Sequence, residues 1–215
     1  MEVAKIGSQF ECVRTNVDKI INTRIGLMTG SGYVTLLNEV KSAVSESEIT
    51  QSEQILTIIK DKRLTLLRDP CLPEYLKSDF LDHTGWLFTY FTVVDGKPTI
   101  RVAIYSPRAS EQYLLLVEEG NCNVFLPSDV SEAIGEPIMA ALRNEMVSSD
   151  SADSFQDTLS INSRLLLRTM KELSEISSFV TESCDIGLVL LDGTISIAKN
   201  VSLQTARISF QAVAP

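Results

Sequence analysis

Histidine is nearly absent from this chain: His83 is the only one among 215 residues. A metal centre built on several imidazoles is therefore excluded within one chain, and the four cysteines do not replace it. Cys12, Cys71, Cys122 and Cys184 lie too far apart for metal-ligand spacing, and His83 cannot complete a site with them locally. No metal and no cofactor are expected. The opening residues MEVAKIGSQFE lack the apolar core of a secretory signal, so the cysteines read as reduced thiols in a cytoplasmic protein. The sequon Asn200-Val201-Ser202 is then expected to stay unmodified. No apolar run approaches the roughly 18 residues of a membrane helix, and no membrane span is predicted. Gly-x-Gly-x-x-Gly, a Walker lysine and Gly-x-Ser-x-Gly are missing too. Thr29-Gly30-Ser31-Gly32 reads as a helix-to-helix turn with Ser31 as N-cap, in preference to an anion cradle. Carboxylates are plentiful but form no spaced acid and base pair and no calcium loop.

Positive charge is the next shortage. The chain has 19 Lys and Arg against 28 Asp and Glu, a net charge of −9. Residues 1–68 hold nine basic and eight acidic side chains, so the whole excess of acid lies beyond residue 68. Nucleic acid binding draws most of its affinity from a concentrated basic face. The only local cluster, Lys60, Lys62, Arg63 and Arg68, is interrupted by Asp61 and reads as a solvated helix face. No nucleic acid partner is expected.

What the chain does have is periodic apolar patterning, at 44% hydrophobic content. Ser8-Gln9-Phe10-Glu11 fits a capping box, and Phe10, Val13, Val17, Ile20 and Ile21 follow at helical spacing, predicting a helix over about 9–24. Tyr33, Leu36, Leu37, Val40 and Val44 form a second stripe. Thr50-Gln51-Ser52-Glu53 reads as another capping box, opening a helix with Ile55, Leu56, Ile59, Leu66 and Leu67 on one face until Asp69-Pro70. A short helix should follow Pro73. Asp95-Gly96 between two β-rich runs is a strong hairpin signal, because both central residues of a type I′ turn need positive φ. That loop pairs Leu87 with Ile104 and Phe91 with Ile100 on one face, and sets Trp86, Phe88 and Tyr90 opposite Tyr105, Ala103 and Arg101 on the other. Pro98 cannot donate to a further strand and places this end at a sheet edge. A second hairpin is expected from Tyr113 to Val117, through Gly120-Asn121, to 123–126.

Ser128 is expected to cap a helix reaching about Val147, with Pro137 kinking it or splitting it after Gly135. Residues 148–160 read as a mobile loop. Leu166, Met170, Leu173 and Val180 follow heptad positions, with Ser177 between the last two, in a helix over about 161–182. Asp192-Gly193 reads as a type I′ turn joining 187–191 to 194–198. In the last segment, 201–213, the apolar phase switches between Thr205 and Ile208, so a bulge or break belongs there. These elements make an α+β chain: a helical N-terminal lobe over 1–80, then antiparallel β-hairpins flanked by helices over 81–215, the two possibly continuous as one domain.

Two places could carry function. His83 could act as a general base with a distant Asp, Ser or Cys, making a small hydrolase or transferase, but no nucleophile motif accompanies it. The face bearing Trp86, Phe88, Tyr90, Arg101 and Tyr105 has the composition of a partner-binding surface. The alternative is that helices cover it, with Arg101 at the rim. Apolar stripes, a hairpin edge, an aromatic face and no recognisable catalytic set together point to a non-enzymatic protein. Such a chain would bind other proteins or copies of itself as an adaptor, accessory factor or shell subunit, with a homo-oligomer the leading form.

Overall fold

The computed structural model describes residues 2–6, 9–14, 19–110, 112–118, 121, 125–127, 129–148 and 152–213. The expected α+β class is found, with helices early in the chain and antiparallel strands after them. The chain divides into two compact units.

The first strands, β1 (Glu2–Ile6) and β2 (Gln9–Arg14), pair antiparallel with each other. The helix expected over 9–24 is therefore not formed. Its stripe contains Val13, Val17, Ile20 and Ile21, whose branched Cβ atoms suit a pleated surface. Pairing with β1 and with residues 26–28, which helical spacing could not register, decides the matter. The next strands are β3 (Ile21–Thr23) and β4 (Gly26–Ser31). Gly30 and Ser31 thus end a strand, and the turn between helices expected there is a strand-to-helix turn instead. Two helices follow, α1 (Val34–Ser45) and α2 (Ser52–Arg68), and their buried positions are those of the apolar stripes. The cap of α1 is Tyr33, not Ser31. At α2 the capping box joins Gln51 and Gln54, one residue later than the sequence reading. A single turn, α3 (Glu74–Leu76), and a π-type turn over Lys77–Leu81 lead into β5 (Gly85–Val94).

The hairpin of β5 and β6 (Lys97–Tyr105) has the predicted register. Trp86 faces Tyr105, Phe88 faces Ala103, Tyr90 faces Arg101 and Phe91 faces Ile100. Asp95 and Gly96 sit at φ of 51° and 76°, the left-handed pair a type I′ turn requires. β7 (Leu115–Val117) pairs with Val102–Ile104 of β6, completing a five-stranded antiparallel sheet in the order β3-β4-β5-β6-β7. The return strand expected over 123–126 falls partly outside the described residues, and Phe125 and Leu126 are not in a strand.

This sheet, α1 and α2 build the core of the unit formed by Asp18–Glu118, Gly187–Ser196 and Ala212–Pro215. Trp86, Phe88, Tyr105 and Met28 join Leu36, Val40, Ile55 and Ile59 in one cluster. Full burial of each such side chain contributes roughly 1.5–3 kcal/mol.

The other unit comprises Met1–Val17, Glu119–Ile186 and Ile197–Gln211. Its helices are α4 (Glu132–Glu145), which contains Pro137, and α5 (Phe155–Ile176). Ser131 caps α4, while Ser128 lies outside the described residues. Ser154 accepts from the Asp157 amide and starts α5 earlier than expected. Half of the supposed loop 148–160 is therefore helix, and 149–151 are not described. On α5 the heptad stripe is only partly buried. Leu165 and Leu166 meet Met139 and Leu142 of α4, whereas Leu167 meets Ile186, Ala198 and Val201. Two small clusters, one on either side, replace the single seam the heptads implied.

The last strands are β8 (Cys184–Val189), β9 (Ile195–Val201) and β10 (Gln211–Ala212), ordered β10-β9-β8. The chain passes between the units within β8 and β9. The β8–β9 connection is a three-residue loop and not the two-residue turn expected. The Leu190 amide donates to the Thr194 carbonyl at 2.9 Å, and Gly193 takes φ of 84°. The break in the terminal segment is wider than the phase switch indicated, spanning 202–210.

Candidate functional site

The aromatic face resolves as core. Trp86 is 0% exposed, Phe88 and Tyr105 2% and Tyr90 8%, because α1 and α2 lay their apolar stripes across this side of the sheet. A buried ring cannot meet a partner, so these four residues do not form an open binding surface. Arg101 is different. It is half-buried, its side chain makes no hydrogen bond or ion pair among the described residues, and it lines a polar cleft beside the start of α2.

His83 is exposed and makes no hydrogen bond among the described residues. Its neighbour Asp82 is ion-paired with Arg63 of α2, which takes up the carboxylate that would have oriented the imidazole. The adjacent Thr84 hydroxyl is buried and donates to the Phe80 carbonyl at 2.8 Å. No hydrogen bond or ion pair therefore joins His83 to a nucleophile or an acid among the described residues. Among the described residues no group of three or more His, Cys, Asp or Glu side chains could hold a metal ion, and no helix is long and apolar enough to cross a membrane.

Two of the four basic side chains of the α2 cluster are engaged in structure. Arg63 holds Asp82, and the Lys60 ammonium donates to the Gln112 carbonyl at 2.9 Å. The second bond fixes one stripe of α2 beside the segment that enters β7. One turn beyond Lys60 on that stripe is Leu64, 43% exposed. In the segment itself Tyr113 is 61% exposed and Leu116 51%. Leu116 pairs with Ala103, which is fully buried, so its side chain stands on the helix-covered side of the sheet at the outermost strand. Leu67 and Leu114 cover the core beneath.

Exposed apolar side chains thus stand on α2, just before β7 and on β7 itself, and the outer side of β7 has no strand partner among the described residues. Unpaired edges of this kind invite pairing with another chain. The opposite edge, β3, is also three residues long, but no large exposed apolar side chain lies within it. Sequence reasoning missed Leu64, Tyr113 and Leu116. The legible signal was Leu64, an apolar residue off the α2 stripe. What joins it to the sheet edge is the Lys60 contact, which spans 52 positions.

No protein-family model matches the chain, and no curated protein and no solved structure is significantly similar to it.

Proposed function

We propose that this is a non-enzymatic, cytoplasmic protein that works by association, first of all with a second copy of itself, through the β7 edge. The observation that supports this reading is that Leu116 in the short terminal strand β7, Tyr113 just before it and Leu64 on α2, which the Lys60–Gln112 bond joins to that segment, are all more than two-fifths exposed. On a monomer, exposed apolar residues are ordinarily scattered singly. A two-fold axis through the centre of β7 would set two such strands antiparallel, with Leu116 opposite its copy. The interface is then self-complementary, as a two-fold dimer requires. Backbone bonds across the axis would supply register, and the apolar flank would supply the burial.

Light scattering coupled to size exclusion tests this over a micromolar dilution series. A dimer that dissociates on dilution, and that Leu116→Glu renders monomeric without loss of helix content, is expected. A strictly monomeric wild-type chain at every concentration would remove self-association.

A further inference from the structure

A second feature of the same unit has no part in the edge. Between the first turn of α2 and the β5–β6 strands lies a cleft of about 400 Å³, lined by Thr50, Gln51, Ser52, Tyr90, Thr92 and Arg101 among others. Tyr90 and Arg101 are cross-strand partners, so both side chains stand on the helix-facing side of the sheet. The Arg101 guanidinium has no carboxylate or carbonyl partner among the described residues, in a chain with 28 acidic side chains. Its nitrogens are not closed off from solvent, so the guanidinium keeps its water and stands open to the cleft with its donors uncommitted. Tyr90 repeats the pattern. Its ring belongs to the core and the residue is 8% exposed, yet its hydroxyl, the only polar atom of the side chain, makes no hydrogen bond among the described residues. The ring is buried but the hydroxyl is not sealed from solvent, so it is free to donate to water or to a ligand in the cleft.

The α2 terminus would not by itself define a site, but here it faces those two donors. The capping box occupies the Gln54 amide, while the Ser52 and Glu53 amides have no acceptor within the helix. Arg101, the Tyr90 hydroxyl and the helix start all favour an oxyanion. One group opposes it. Glu53 also lines the cleft, its carboxylate accepting from the Ser52 hydroxyl at 3.1 Å. With one guanidinium and one carboxylate present, a dianion would meet repulsion that a monoanion largely escapes. The guanidinium fork also matches the two oxygens of a carboxylate.

We propose that this cleft binds a small monocarboxylate, with Arg101 as the ion-pair partner, Tyr90 as a hydrogen-bond donor and Glu53 as the group that disfavours dianions.

Acetate and inorganic phosphate, titrated separately into the 15N-labelled 215-residue chain at constant ionic strength, test it by the shifts of the Ser52 and Glu53 amides. Acetate should shift both amides saturably and phosphate more weakly. Arg101→Gln should weaken acetate about tenfold or more, as expected for loss of a charge-assisted bond. Arg101→Lys should fall between, keeping the charge without the fork. Tyr90→Phe keeps the ring in the core and should weaken acetate several-fold. Glu53→Gln should tighten acetate and bring phosphate closer to it. Absence of a saturable acetate shift in the wild-type chain overturns the proposal. So does unchanged acetate affinity in an Arg101→Gln protein whose amide spectrum stays dispersed. If Tyr90→Phe binds as the wild type does, the phenol has no part and the site as stated fails. None of these outcomes depends on the oligomeric state.

Discussion

At the residue scale the sharpest constraints come from close approach. An added Cβ on Gly26 would lie 2.0 Å from the Thr89 carbonyl oxygen and 2.6 Å from the Tyr90 Cα, both backbone atoms of the neighbouring strand. The strands would have to separate. Gly96, by contrast, needs its positive φ for the hairpin but has nothing within 4 Å of such a Cβ. Gly26→Ala should therefore cost about 3 kcal/mol or more, among the large mutational effects, and Gly96→Ala about 1 kcal/mol. Equilibrium urea unfolding gives both numbers, and equal losses would contradict this account. The cysteines differ as clearly. Cys71 is exposed, while burial, helped by the Asp185 carboxylate, pushes the Cys184 thiol up to about 11. Only the thiolate is nucleophilic, so iodoacetamide at pH 8 should label Cys71 in the native protein and reach Cys184 only after unfolding, as peptide mass spectrometry will show. At Asp192 the Thr194 amide donates to the carboxylate at 2.8 Å and holds its pKa below the usual carboxylate range. Folding then favours the ionised form, so this contribution is present above about pH 4 and is lost as pH falls through the depressed value. Asp192→Asn should make the acid limb of the stability curve shallower.

Helix α2 shows how local chemistry and long-range contact divide the work at the element scale. The Gln54 side-chain oxygen accepts from the Thr50 amide at 2.7 Å and the Gln51 amide at 2.9 Å, closing the helix start. Gln54→Ala should destabilise the protein by about 1 kcal/mol, the usual cost of a lost cap. Glu53→Gln should leave the urea midpoint nearly unchanged, since Glu53 is not the capping partner. The stripes of α1 and α2 and the whole register of the β5–β6 hairpin were legible in the sequence. In each case the information is contained in one short segment: helical spacing with a stop at Asp69-Pro70, and Asp95-Gly96 fixing every pair from Trp86 with Tyr105 to Val94 with Lys97. The strands β2 and β3 were not legible, because their apolar residues fit helical spacing as well as a pleat. Their partners Glu2–Ile6 and β4 are what discriminate. The same reason governs the sites. Composition marked out Trp86, Phe88, Tyr90 and Tyr105, but whether a sheet face is covered is a tertiary fact. Leu64 is linked to Tyr113 and Leu116 only through the Lys60 bond that joins α2 to the segment before β7.

On the scale of the whole molecule, net charge and the proposed edge pull in opposite directions. Two chains of net charge −9 repel each other at long range, yet the β7 flank offers apolar side chains and the Lys60 contact in place of acid. If the apolar flank drives association, screening should help it. Raising ionic strength from about 0.05 to about 0.5 M shortens the screening length to a few ångströms and removes most of the repulsion between the bodies of the two chains. Burial of Leu64, Tyr113 and Leu116 is left intact or strengthened. The dimer dissociation constant, followed by analytical ultracentrifugation across that range, should fall by several-fold. An interface held by ion pairs would do the reverse, as would a complex with nucleic acid, whose affinity drops steeply with salt. A dissociation constant that rises with salt would therefore move the contact away from the β7 edge and onto charged surface, even with a dimer present. A falling constant that Leu116→Glu abolishes would tie the association to that strand.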